Sequence, residues 1–278
     1  MPAASILIKP ASANCNMDCK YCFYKCLSSH REEYSKGFMQ EETLETLVRE
    51  AIAYADGSLT FAFQGGEPTL AGLDFFQKAV ELQQKYNNKK LQIENTIQTN
   101  GLLIDEKWAR FLGEHRFLVG LSLDGPKKMH DRYRKDAAGQ DTFARIMHSV
   151  QLLEQYHVDY NVVTVVTNDT AKQASFLYKF WKRNHYPFVQ FIPCMDEIKR
   201  QDGTQERSIY AVEPEQYGKF LCELFDLWYA DFVAGETMDI RMFSNLAQMA
   251  AGYPAEECGM NGCCNCYFVV EGDGSVYP

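Results

Sequence analysis

Two hydrophobic periods take turns along this chain. Short apolar runs rich in β-branched and aromatic residues stand at Ser5–Lys9, Leu59–Phe63, Leu91–Gln98, Phe117–Leu123, Tyr160–Thr167 and Phe188–Ile192. Each reads as a strand. Between them the spacing becomes helical. Leu44, Leu47, Val48, Ala51, Ile52 and Ala55 recur at i, i+3, i+4, i+7, i+8 and i+11, which places one apolar stripe on a helix. Segments at about 74–86, 105–114, 142–156 and 171–184 have similar length. Strands and helices alternating at roughly 30-residue spacing form the βαβ rhythm, which implies a parallel sheet covered by helices. Six such units are two short of a closed eight-stranded barrel, so residues up to about 195 are expected to form an open partial barrel.

Beyond it the pattern changes. DEIKRQDGTQERS, residues 196–208, is polar and suits a surface loop, and helical segments follow near 214–234 and 239–251. The last stretch sets glycines among cysteines and ends in YFVVEGDGSVY, whose Gly-Asp-Gly suggests a hairpin turn. The expected organisation is an α/β barrel unit over 1–208, then a helical, cysteine-rich extension over 209–278.

Composition narrows the function classes. Hydrophobic residues make up 46% of the 278 and charged residues 23%, which excludes disordered and collagen-like chains. Twenty-eight basic against 37 acidic side chains leave a net charge of −9, the wrong sign for a nucleic-acid partner or an anionic membrane. Near the N-terminus the apolar run Ile6-Leu7-Ile8 is far too short for a signal-peptide core or a spanning helix, so the expected location is cytoplasmic. In that setting ten cysteines read as metal or redox groups rather than a disulfide frame. Their clustering supports this: Cys15, Cys19, Cys22 and Cys26 lie together, as do Cys258, Cys263, Cys264 and Cys266, leaving only Cys194 and Cys222 apart.

The first group lies directly after the first strand, at the end where a barrel presents its chemistry. Cys15-x3-Cys19-x2-Cys22 supplies three thiolates from one short loop, enough to hold three irons of a [4Fe–4S] cluster and leave the fourth iron open. A structural zinc site, or a fully ligated electron-transfer cluster completed by Cys26, are the competing readings. The ferredoxin run, however, has x2 where this chain has x3, and proline where this chain has Leu27.

Cys15-Asn16-Met17-Asp18-Cys19-Lys20-Tyr21-Cys22 resembles the signature of radical S-adenosylmethionine (SAM) enzymes, C-x3-C-x-aromatic-C. Gly65-Gly66-Glu67-Pro68 follows the second strand and resembles the family's GGEP motif, whose backbone meets the SAM amino group. Gln98-Thr99-Asn100-Gly101 and Ser122-Leu123-Asp124-Gly125 end the third and fourth strands. Four polar motifs at the carboxyl ends of four successive strands converge on one site. The resemblance implies a partial (βα)6 TIM-type barrel and a SAM site that includes Tyr21, Gly66, Ser122, Arg134 and Met195. Arg134 would meet the SAM carboxylate and Met195 would pack near the adenine. The bland readings are a solvated loop over Lys127–Lys135 and a core role for Met195.

Cys264, followed after nine residues by Gly274, resembles the opening of the SPASM extension, C-x9–15-G-x4-C, which binds auxiliary [4Fe–4S] clusters. On that resemblance Cys258 and Cys264 are ligands of the first auxiliary cluster, with a zinc knuckle from the four tail cysteines as the competing reading. Ile6–Pro10, Cys22-Phe23-Tyr24, Phe63–Leu70 and the tail from Tyr267 together resemble anaerobic sulfatase-maturating enzymes. The implied reaction begins when a 5′-deoxyadenosyl radical takes a Cβ hydrogen from a cysteine or serine in a Cys/Ser-x-Pro-x-Arg motif of a sulfatase polypeptide. That residue becomes Cα-formylglycine, and a low-potential donor such as flavodoxin or ferredoxin supplies electrons. The family's proton acceptor is expected beyond Pro278, so no catalytic residue is assigned. The alternatives are a SPASM enzyme that modifies a ribosomal peptide and a non-catalytic iron–sulfur or zinc protein.

Overall fold

A computed structural model describes residues 3–186, 188–196, 208–236, 238–256, 260 and 267–277. Six parallel strands form its centre: β1 (Ala4–Ile8), β2 (Ser58–Phe63), β3 (Gln92–Thr99), β4 (Leu118–Ser122), β5 (Tyr160–Val166) and β6 (Phe188–Pro193). They lie side by side in sequence order, the arrangement expected when each strand returns through a helix. The intervening helices are α1 (Phe23–Ser29), α2 (Glu41–Tyr54), α3 (Leu73–Tyr86), α4 (Glu106–Glu114), α5 (Lys127–Tyr133), α6 (Phe143–Gln155) and α7 (Ala174–Arg183). Then follow α8 (Pro214–Val233), β7 (Asp239–Ile240), α9 (Arg241–Ala250), β8 (Tyr267–Val270) and β9 (Val276–Tyr277).

The sheet is longer than six strands. β7 adds to β6 at one edge, and β8 adds parallel to β1 at the other, with Tyr267 opposite Ser5 and Val270 opposite Ile8. β9 pairs antiparallel to β8 around the expected Gly-Asp-Gly turn, where Gly274 has φ +86°. The hairpin is therefore also a continuation of the barrel sheet, a pairing that a local reading of YFVVEGDGSVY does not contain.

Alternation sorts each strand into two faces. In β2, Leu59, Phe61 and Phe63 are buried against the helices, while Thr60 and Ala62 face the other way and are half-buried. Phe63, Phe76, Trp108 and Phe117 pack as one aromatic cluster behind the sheet, with Phe63 and Phe76 centroids 4.9 Å apart. The opposite face carries polar side chains in register: Gln98 is opposite Gly120, Gly120 opposite Asn161, and Val163 opposite Gln190. A side chain at Gly120 would meet Gln98 Oε1 at 2.2 Å, so the glycine makes room for that amide.

One bland reading is corrected. Residues 127–133 fold as helix α5, and His130, Asp131, Tyr133 and Arg134 are buried, because the helix docks on α6 and the cysteine loop. It is not a solvated loop.

Candidate active site

The cysteine loop is held from both ends. Near its start, Gly66 N donates to Ser12 O (2.9 Å) and Glu67 N to Asn14 O (2.8 Å). This approach requires glycine at 66, since a Cβ there would lie 2.1 Å from Asn14 O. Toward its end, Asp18 N donates to Lys135 O (2.9 Å) and Lys20 N to Tyr133 O (3.0 Å), so the segment after α5 clamps the loop.

Glu67 joins the second and third strand ends. Its carboxylate is 1% exposed and accepts from Thr69 N (3.1 Å), Thr69 Oγ1 (2.6 Å), Thr99 Oγ1 (2.7 Å) and Asn100 N (2.8 Å). Burial raises its pKa, and these four donors oppose the rise. Asn100, fixed in this way, donates from Nδ2 to Asn16 Oδ1 (2.7 Å) and lies 3.9 Å from Cys15 Sγ. Met17 N also reaches Cys15 Sγ, at 3.4 Å. Gln98 Nε2 donates to Ser122 Oγ (3.2 Å), orienting that hydroxyl on the polar face.

Arg134 and Tyr21 meet at the end of the fourth strand. Asp124 is 1% exposed, and its Oδ1 accepts from Val165 N (3.1 Å). Tyr21 donates its hydroxyl hydrogen to Asp124 Oδ2, and Arg134 Nε lies 3.0 Å from the same oxygen. The Nε–H does not point along that contact and has no hydrogen-bond partner. Burial works against the guanidinium's charge, yet Asp124 beside it holds the pKa of Arg134 well above the ordinary value. His130, with no exposed surface, fixes this pair through the backbone. Its Nδ1 accepts from Asp124 N (3.3 Å), and its Nε2 is 3.0 Å from Thr142 Oγ1, which in turn donates to Arg134 O (2.9 Å). That chain of bonds assigns the imidazole proton to Nε2. Burial pushes the pKa of His130 down to about 4, so the ring is neutral.

The thiols of Cys15, Cys19 and Cys22 share one loop. The packing around Cys15 and Cys19 raises their thiols to about 11 and about 12, although Cys15 keeps exposed surface. Among the described residues no three His, Cys, Asp or Glu side chains close on a single ion-sized point. Cys26 sits one turn along α1, with Sγ 3.9 Å from His30 Nδ1. Met195 is 77% exposed just past β6, so the core role does not hold. Cys258 and Cys264 lie outside the described residues. Sequence reasoning quoted Asp124 and His130 only as parts of motifs and missed their linkage, which depends on a fold back from α5 to β4.

Comparison with known proteins extends this geometry. The family described as the radical SAM superfamily matches residues 10–180. Over all 278 residues the chain is 50% identical to a cysteine-type anaerobic sulfatase-maturating enzyme of Clostridium perfringens, spanning 74% of that protein. It is 34% identical to a serine-type enzyme of Bacteroides thetaiotaomicron, over 98% of this chain and 68% of the relative. A solved structure of native anSMEcpe with bound AdoMet and Cp18Cys peptide matches with a TM-score of 0.92 and 48% identity, covering 100% of this chain and 74% of that one. The clamped three-cysteine loop and the likeness over the whole chain together place this protein in the radical SAM superfamily, and within it among the anaerobic sulfatase-maturating enzymes, a family built on a [4Fe–4S] cluster and SAM.

Proposed function

We propose that the chain oxidises an active-site cysteine of a sulfatase polypeptide to Cα-formylglycine. The observation that carries this is the cysteine loop locked against Gly66 and the Arg134 segment, set within 50% identity to a cysteine-type enzyme against 34% to a serine-type one. Cys15, Cys19 and Cys22 would hold the cluster, leaving one iron for SAM. Together cluster and SAM supply the radical that removes a Cβ hydrogen. The chain's own residues bind and orient. Gly66 lets the cysteine loop close on the end of β2, where the backbone would meet the SAM amino group, and Arg134 would offer its fork to the SAM carboxylate. Tyr21 supports Arg134 with its ring 5.5 Å from the guanidinium carbon, Ser122 presents a hydroxyl oriented by Gln98, and Met195 offers an apolar surface beside the adenine.

The polar face of the sheet suits the second substrate. Gln98, Asn161 and Gln190 carry uncharged amides that can pair with an extended peptide backbone. Barrel residues 1–208 would then carry the chemistry. Residues 209–278 would begin the auxiliary-cluster unit, with Cys258 and Cys264 as its first ligands. A low-potential flavodoxin or ferredoxin would supply the electron that starts the reaction; the substrate would then lose a proton to a base and a second electron to an auxiliary cluster, and water would replace its sulfur, released as sulfide. A cytoplasmic setting suits these reductants, and among the described residues no helix is long and apolar enough to cross a membrane.

The test is anaerobic reconstitution with iron and sulfide, followed by dithionite, SAM and a Cys-x-Pro-x-Arg peptide. The expected result is 5′-deoxyadenosine and a peptide mass shift for the native chain, with at least about a hundredfold loss in Cys15→Ala, as for removal of a group on which the whole reaction depends. SAM cleavage that survives in Cys15→Ala, or zinc in place of iron after anaerobic purification, would refute the assignment.

A further inference from the structure

A second buried charge cluster lies at the other foot of the cysteine loop. Glu271, directly after β8, is 2% exposed. Its Oε1 accepts from Lys9 Nζ (2.5 Å) and Arg31 Nη1 (2.7 Å), and its Oε2 from Ser12 Oγ (3.2 Å). Lys9 and Ser12 are themselves buried. Ser12 is the residue whose carbonyl receives Gly66 N, and its Oγ also accepts from Lys36 N (2.9 Å). Lys9 Nζ lies 5.4 Å from the centroid of the Tyr24 ring, two residues past Cys22. A carboxylate from the C-terminal strand is thus bonded to both flanks of the loop, through Lys9 and Ser12 before it and Arg31 after α1.

An ionised group so far from water persists only where partners satisfy it, and the Lys9 and Arg31 cations hold the pKa of Glu271 below the ordinary carboxylate range against the effect of burial. Two cations on one carboxylate leave one net positive charge at the flanks of the loop. A reduced cluster carries one more electron than an oxidised one, so a cation there favours reduction and an anion opposes it.

We propose that Glu271 is a positioning residue of the first cluster: by fixing Lys9 and Ser12 before the Cys15–Cys22 loop and Arg31 after it, the residue that follows β8 sets both the shape of the cysteine loop and the charge the cluster experiences. This rests on the reading that these three cysteines hold the cluster.

Removing either partner should therefore move the cluster's reduction potential in opposite directions. In the anaerobically reconstituted chain, the signal that disappears in Cys15→Ala identifies the first cluster, and it is followed by electron paramagnetic resonance during a redox titration. Glu271→Gln is expected to raise the potential and Lys9→Met to lower it, each changing the reduced fraction at a fixed applied potential several-fold. The double variant Lys9→Met/Glu271→Gln restores the net charge and should return close to native. If Glu271→Gln does not fold, Arg31→Gln, at a partly exposed position, is expected to lower the potential. Equal potentials in native and variant proteins with loaded clusters, or shifts of the same sign in Glu271→Gln and Lys9→Met, would overturn the proposal while leaving the cluster assignment intact. A native chain that binds no cluster at Cys15, Cys19 and Cys22 would overturn both.

Discussion

Asp124 and Glu271, two buried carboxylates past strand ends, are alike in burial and unlike in completeness. Each stands just past the carboxyl end of a strand, each is 2% exposed or less, and each faces arginine. Around Glu271 both oxygens are covered by donors from Lys9, Arg31 and Ser12. At Asp124 the arginine's Nε–H has no hydrogen-bond partner, and one oxygen is shared between Arg134 and Tyr21. A cluster that satisfies itself holds chain segments together. One whose buried arginine Nε–H is not aligned with its carboxylate is held by charge alone, at a cost in stability that the surrounding fold must offset.

The sharpest way to break this comparison is to remove the anion on the incomplete side. Asp124→Ala would leave Arg134 charged, 7% exposed and without its counter-ion. Stability should fall by about 3–5 kcal/mol in urea denaturation, the range for breaking a buried pair. Arg134→Lys keeps the charge but loses the planar fork, so it should cost less stability and weaken SAM binding by about tenfold or more. Equal effects on folding and no effect on SAM affinity would make the Asp124 cluster as purely structural as a closed one.

The backbone support of that cluster gives a pH signature. His130 titrates near 4 in the fold against an ordinary value of 6.5, and Asp124, Asp131 and Arg134 face it. The unfolded chain therefore binds the extra proton more readily. His130's contribution is complete above pH 6.5 and is lost as pH falls toward 4, amounting to about 3 kcal/mol. His130→Gln should flatten stability between those pH values relative to native protein. An unchanged slope would mean that the ring is accessible to protons in the fold.

Next in size is the contact between strand ends. Gly66→Ala forces a Cβ to within 2.1 Å of a backbone oxygen that has no flexible end to move. The strand ends must separate, costing about 1–3 kcal/mol as for other overpacked sites. SAM binding should suffer more than stability, because the displaced segment carries both the cysteine loop and Gly66. Gly72→Ala, where a Cβ meets nothing within 4 Å though φ is +86°, separates backbone strain from collision.

Much of the Asp124 side was legible in the sequence, because Cys-x3-Cys-x2-Cys, the double glycine and the polar strand ends are local patterns with local physical meaning. The strands followed from the same logic: six alternating runs appear where they were expected, with no end moved by more than one residue. The Glu271 side was not legible. Lys9 and Glu271 are 262 positions apart, and only the parallel pairing of β8 with β1 brings them together. A four-residue strand carries no sign of which sheet edge it will join. Helix α5 was missed for a related reason: its polar sequence looks solvated until α6 and the cysteine loop cover it.

Met195 supplies the smallest expected effect and the cleanest separation of binding from folding. At 77% exposure it buries little apolar surface, so Met195→Ala should change stability by no more than about 0.5 kcal/mol, as for surface substitutions generally. If Met195 packs beside the adenine, the same change should weaken SAM binding by roughly fivefold, the cost of losing one side chain's apolar contact with a ligand. Titration calorimetry with SAM under anaerobic conditions measures the second quantity, and urea denaturation measures the first. A loss of affinity without loss of stability would place a ligand surface at the end of β6, on the same rim as Arg134. Equal affinity in both proteins would confine SAM recognition to the β1–β4 side, where Arg134 stands beside Asp124.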